Sequence, residues 1–202
     1  TLAIAAALHA FGPGKQIVLP DFSFIATLRA AQSYSKDELL FSDVDEATWT
    51  LNSTDNSSRE QILLPVAPFG AEPMTLLEGF VGHNTVLDAA ASLGSEPNCS
   101  KLDKEHVVCF SLHATKVLGA GEGGIAVFGD ETLAERARDW ANFGRSEESM
   151  FSGGTNGKMS EVQASFCLSR LQSWKQEKAR WSEAQELASQ ISTIADLSLA
   201  PS

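Results

Sequence analysis

His106-Val-Val-Cys-Phe-Ser-Leu-His-Ala-Thr-Lys-Val-Leu-Gly-Ala-Gly-Glu-Gly-Gly-Ile-Ala-Val-Phe128 is the stretch on which the reading of the fold turns. Val107 to Phe110 and Ile125 to Phe128 are short, continuously apolar and bounded by breakers, the pattern of strands buried on both faces. Between them lie a single lysine, Lys116, and a glycine-rich segment. Gly119, Gly121 and Gly124 formally satisfy G-x-G-x-x-G, but that dinucleotide fingerprint must follow a strand and open a helix. Here a strand-like run follows instead, so the match is a decoy, and the glycines let the chain turn tightly beside Lys116.

Outward from this stretch the same alternation repeats. Gln16 to Leu19, Leu39 to Phe41, Ile62 to Val66 and Thr85 to Leu87 are further apolar runs between breakers. Residues 1–11 read as a helix stopped by Gly12-Pro13-Gly14, and a second helix follows Pro20-Asp21 and runs to about Ser33. Asp130 is placed to cap a helix from Glu131 to Asn142. Ser160 and Gln163 form an S-x-x-Q capping box opening a long helical region that bends near Gln172. The polar segment from Asp43 to Ser58 reads as a loop. Apolar strands alternating with helices predict an α/β fold: three α/β/α layers around a mostly parallel central sheet.

Composition narrows the function. The 202 residues carry 26 acids against 15 bases, a net charge of -11, so the basic face that nucleic acid requires is missing. Cys99, Cys109 and Cys167 are odd in number and lack CxxC spacing, which argues against a disulfide framework and a zinc site. Cys109, inside an apolar run, reads as a buried and inert thiol. The histidines His9, His83, His106 and His113 show no metal-ligand spacing. The apolar start of the chain is too short to span a bilayer and has no basic segment before it. Asn52-Ser-Thr, Asn56-Ser-Ser and Asn98-Cys-Ser match the glycosylation pattern but read as chance matches. A cytoplasmic protein in a reducing compartment, with no membrane partner, is expected.

Open parallel sheets bind ligands at the carboxyl ends of their strands. Asp88 stands directly after Thr85-Val-Leu87, among small residues that leave room for a flat ligand; its alternative role is to cap a following helix. Ser111 to Lys116 follows the strand ending at Phe110. A lysine held in a pocket there loses stabilisation of its charged form, so its amine becomes a nucleophile.

The order of these segments resembles the DegT/DnrJ/EryC1/StrS family, sugar aminotransferases of pyridoxal-phosphate fold type I. Pro20-Asp-Phe-Ser-Phe-Ile-Ala-Thr27 is similar to the family's P-x-F-T-F-x-A-T, Phe41-Ser-Asp-Val-Asp45 to F-x-D-V-D, and Pro65-Val-Ala-Pro-Phe-Gly70 to P-V-x-x-Y-G. Phe110 to Gly119 resembles F-S-F-x-P-T-K-x-L-G, with Gly121-Glu-Gly-Gly124 behind it, and Asn156 to Ala164 resembles N-x-R-M-x-E-x-Q-A.

The resemblance implies a pyridoxal 5'-phosphate enzyme that moves an amino group from an amino-acid donor to a nucleotide-linked keto-sugar. Lys116 would form the Schiff base, where family members that dehydrate sugars carry His. Asp88 would pair with the pyridine nitrogen, Ser111 would bind the phosphate and Phe24 would lie against the ring. Asn156 would reach the phosphate of a neighbouring subunit, implying a homodimer. The chain departs from the family at Ala91, usually Gln or His near the phenolic oxygen, at Lys158, usually Arg, and at Ala114, often Pro. The family's phosphate-binding Gly-Ser/Thr turn would precede Thr1. Residues 1–202 are thus expected to be the cofactor-binding large domain, a fragment without the small C-terminal domain. The rival expectations are a homologue that binds cofactor without turnover, and another fold-type-I enzyme. The latter would be a sugar dehydratase, or a sulfur-mobilising lyase relying on Cys99.

Overall fold

β1 (Gln16–Pro20) has four consecutive buried residues, Ile17 to Pro20, so it needs apolar cover on both faces. A computed structural model describes residues 1–35, 39–52, 60–95, 98–145 and 153–194 and supplies that cover. The strands β2 (Leu39–Ser42), β3 (Gln61–Leu63), β4 (Thr85–Asp88), β5 (His106–Ser111) and β6 (Gly124–Phe128) join β1 in one sheet ordered β2-β1-β3-β4-β5-β6. The first five run parallel, and β6 returns antiparallel beside β5.

Alternation along the strands divides the core. Val86, Val107 and Cys109 point to one face and pack on the helix α1 (Leu2–Ala10), with α2 (Ile25–Tyr34) beside it and α4 (Glu131–Ala141) against α1. Leu87, Val108 and Phe110 point to the other face, covered by the short helix α3 (Pro73–Leu77) and irregular segments. Each fully buried Val, Leu or Ile contributes about 2 kcal/mol. The Ala-rich composition of α1 has a structural cause: Ala5, Ala7, Leu8 and Ala10 are all buried, since the helix is enclosed between sheet and neighbours.

Other elements follow their local signals. Asp130 Oδ1 accepts from Leu133 N at 3.1 Å and caps α4. Ser160 Oγ accepts from Gln163 N at 3.2 Å and caps α5 (Glu161–Gln172). The long helical region does break after Gln172, and α6 (Trp174–Ile194) follows. The run Ile62 to Val66 is not one strand. β3 stops at Leu63 because Pro65 has no N–H for the ladder, and pairing resumes as a parallel bridge between Val66 and Asp88. Asn56 lies outside the described residues. Among the described residues no helix is long and apolar enough to cross a membrane.

Candidate active site

Asp88 ends β4 and is buried, although a carboxylate is costly to desolvate. Its partners explain how it is held. Thr27 Oγ1 donates to Oδ2 at 2.6 Å, and Ala90 N donates to Oδ1 at 3.1 Å. It caps no α-helix; the carboxylate closes a local turn instead. Ser111 ends the adjacent β5, where Asp88 is in register with Cys109. Both Asp88 and Ser111 line a cleft of about 800 Å³ that also touches Thr1 and the amino end of α1, Ala90, Glu122 and Lys158. Thr1 is the N-cap position of α1, so the positive end of a helix dipole opens into this cleft.

Lys116 stands on the β5–β6 connection and is half-buried. The connection is folded back on itself: Leu112 N donates to Gly123 O at 3.0 Å and Ala114 N to Gly121 O at 2.7 Å. Lys116 N donates to His113 O at 2.9 Å. Gly119 closes the turn, and only glycine fits, because a Cβ there would lie 2.3 Å from Ala114 O. The G-x-G-x-x-G match leads into β6, not a helix, as expected of a decoy. His113 is exposed, with Nδ1 2.9 Å from Thr115 Oγ1 and Nε2 3.6 Å from Glu122 Oε1.

The remaining candidates lie around this centre. Phe24 is the N-cap of α2 and 75% exposed, one turn before the Thr27 that holds Asp88. Ala91 faces a second cleft, with Phe69, Val117 and Trp181. Asn156 is exposed and pairs with Asn142 in an antiparallel bridge, next to Gly157 and Lys158 of the first cleft. Lys158 Nζ donates to Asn142 Oδ1 at 2.9 Å and lies 4.7 Å from the centre of the Phe143 ring. The cleft lining therefore unites Asp88 and Ser111, while Lys116, Phe24, Ala91 and Asn156 stand outside it.

In the sequence Thr27 and Thr1 carry no assigned role, and Gln163 only that of a helix cap. Thr27 was inside a quoted motif, but its contact with Asp88 spans 61 positions and leaves no local trace. Gln163 takes part in the Ser160 cap through its backbone N–H, and its side-chain Nε2 also donates to Ala120 O.

Cys109 and Cys99 are poor nucleophiles. Complete burial, reinforced by the charge of Asp88, pushes the Cys109 thiol far up. Partial burial and then Glu72 raise that of Cys99, which argues against the sulfur-mobilising role considered for it.

A buried carboxylate, a serine hydroxyl and a helix amino end share the first cleft, and a lysine stands on the turn beside it. The family model described as the DegT/DnrJ/EryC1/StrS aminotransferase family matches residues 1–198, and the chain belongs to that family. It is 33% identical over 191 residues to Protein Rv3402c of Mycobacterium tuberculosis, covering 85% of this chain and 46% of that protein. It is 31% identical over 176 residues to the dTDP-3-amino-3,4,6-trideoxy-alpha-D-glucose transaminase of Streptomyces venezuelae, covering 81% and 46%. A solved Bacillus cereus structure, assigned as a PLP-dependent aminotransferase, superposes with a TM-score of 0.80 at 27% identity, covering 96% of this chain and 56% of the other. The chain spans about half the length of the curated relatives it matches.

Proposed function

We propose that the chain forms the cofactor-binding part of a pyridoxal-phosphate-dependent transaminase, which transfers an amino group from an amino-acid donor to a nucleotide-linked keto-sugar. The observation that carries this is the buried carboxylate of Asp88 in a cleft shared with Ser111, with Lys116 on the glycine-closed turn that follows Ser111. The residues present fit pyridoxal 5'-phosphate. Asp88 supplies a negative charge for the protonated pyridine nitrogen. Ser111 and the amino end of α1 supply donors and positive potential for the phosphate. The cleft volume of about 800 Å³ lies within the range of small-molecule sites, about 300–1,000 Å³.

When bound, the cofactor supplies the electron sink that acidifies the donor's reacting carbon and carries the amino group between half-reactions. Lys116 would hold it through Nζ, and the same amine, when free, would take the proton from the donor's carbon. Asp88 keeps the ring nitrogen charged, and Thr27 keeps Asp88 in place. Phe24, exposed beside the Thr27 that holds Asp88, would lie against the ring and fix its plane. Asn156, exposed at the rim, reaches the phosphate in the partner of a cytoplasmic homodimer. The dTDP-sugar named for the Streptomyces relative supports the acceptor class.

Lys116→Ala tests the reading. The variant should form no borohydride-reducible visible chromophore with pyridoxal phosphate; a chromophore equal to the wild type would overturn the assignment. A second reading, a homologue that binds cofactor but turns nothing over, is favoured by Ala91, which offers no side-chain polar group. A full-length protein that binds cofactor yet transfers no amino group from any donor would establish it.

A further inference from the structure

We propose that Gln163 and Arg170 are positioning residues that set where the Lys116 amine stands, an inference that rests on Lys116 carrying the cofactor. Two side chains of one helix hold consecutive carbonyls of the lysine's turn. Arg170 Nε donates to Gly119 O at 3.1 Å, and Gln163 Nε2 donates to Ala120 O.

A hold on Gly119 is mechanically a hold on Lys116. Ala114, Lys116 and Gly119 are in backbone contact, since a Cβ on Gly119 would lie 2.3 Å from Ala114 O and 3.1 Å from Lys116 O. A displacement of Gly119 toward either carbonyl moves the lysine's backbone with it. Beyond its own backbone hydrogen bonds, the turn packs on α5 through Leu118 and Ala120, buried with Leu112 against Cys167. Such apolar contacts resist separation but specify direction poorly, because the hydrophobic effect is non-directional. Residues 113–115 at the tip are exposed, so cover does not immobilise them. The two α5 donors add direction to the contact between turn and helix.

Arg170 is itself braced. Its Nη1 lies 3.4 Å from Glu177 Oε1 on α6, leaving Nε aimed at Gly119. Gln163 packs against the same loop, with Oε1 3.3 Å from where a Cβ of Gly121 would lie. Precision has a kinetic consequence, for a misplacement of about 1 Å at a reacting group can cost about a hundredfold in rate.

The test uses the full-length protein with Arg170→Met, Gln163→Leu, Arg170→Lys and Glu177→Gln. Arg170→Met and Gln163→Leu should each lower kcat by about ten- to a hundredfold, with the KM for the amino donor within about twofold of wild type. Both should also shift the pH midpoint of the Lys116-bound chromophore, a readout that loss of packing alone does not move. Arg170→Lys should recover most of kcat, because an ammonium still donates to the Gly119 carbonyl. Glu177→Gln should be close to wild type, because an amide oxygen still accepts from Arg170. The proposal is overturned if Arg170→Met and Gln163→Leu both keep kcat and midpoint, or if Glu177→Gln loses as much as Arg170→Met. If Arg170→Met does not fold, Gln163→Glu decides, since it sets an acceptor against the Ala120 carbonyl. A chromophore that survives Lys116→Ala would sink the assignment of the lysine; unchanged clamp variants beside a colourless Lys116→Ala would sink the clamp alone.

Discussion

Thr27 Oγ1 lies 2.6 Å from Asp88 Oδ2, joining α2 to the end of β4 through one hydrogen bond between two buried side chains. The distance is that of a charge-assisted O–H···O⁻ bond. It links the segment that presents Phe24 to the carboxylate assigned to the cofactor nitrogen, so one contact orders two site residues.

Thr27→Val is nearly the same shape and removes only the donor, leaving a buried carboxylate short of a partner. That should cost about 2 kcal/mol, or about 6 °C of thermal midpoint for a chain of this size. Affinity for pyridoxal phosphate should fall with it, and Thr27→Ser should restore both. Melting curves and cofactor titrations of the two variants check this. A Thr27→Val protein as stable as wild type would show that the bond does not hold Asp88.

Gly119→Ala should be far more damaging than alanine at an unconstrained glycine. The new methyl would meet the Ala114 carbonyl oxygen at 2.3 Å, and relief requires reopening the turn that bears Lys116. Overpacking of this kind costs about 1–3 kcal/mol, and covalent attachment of pyridoxal phosphate should fall further than stability does. Gly79→Ala is the matched control, with nothing within 4 Å of the new Cβ. Mass spectrometry after borohydride reduction compares the two variants. Equal labelling of both would refute the steric argument.

How far the sequence was legible depended on the range of the interactions involved. Strands such as β4 and β5 were readable because each apolar run answers to burial on both faces, a local rule. Asp88, Ser111 and Lys116 stood out as candidates because they follow those runs at the carboxyl edge. β3 was overextended because Leu64 and Val66 are as apolar as its strand residues, and only the missing N–H of Pro65 divides the run. Thr27 and Gln163 escaped because their partners are tertiary. A threonine in a helix and a glutamine behind a capping serine have local explanations that conceal distant bonds.

Ala91→Gln offers a gain-of-function test. Ala91 borders open space in the second cleft, beside Phe69 and Val117, so a longer side chain has room. Ala91 directly follows Ala90 of the first cleft, and if the cofactor's phenolic oxygen extends toward the second cleft, an amide there would restore the polar group that the family usually places near it. One added hydrogen bond contributes about 1 kcal/mol, so pyridoxal phosphate should bind about fivefold tighter. Equilibrium dialysis of the two proteins measures it. Unchanged or weaker binding would mean that Ala91 does not adjoin the cofactor.

His9 gives the fold a predictable response to acid. Its ring stacks on Trp140 with centroids 4.5 Å apart and lies 5.4 Å from Tyr34, between α1, α2 and α4. Burial holds its pKa below the ordinary histidine value, against a smaller opposing effect from the Ser33 backbone. At neutral pH the ring is uncharged in both folded and unfolded chains. As pH falls through about 6.5, the unfolded chain binds the proton first, and the folded chain follows only at lower pH. The unfolded state then carries more protons, so this contribution to stability is complete above about 6.5 and shrinks on acidification below it. Urea unfolding between about pH 7.5 and 5.5 should show the loss, and His9→Phe, which retains an aromatic ring against Trp140, should flatten it. An identical slope in the two proteins would assign the acid sensitivity elsewhere.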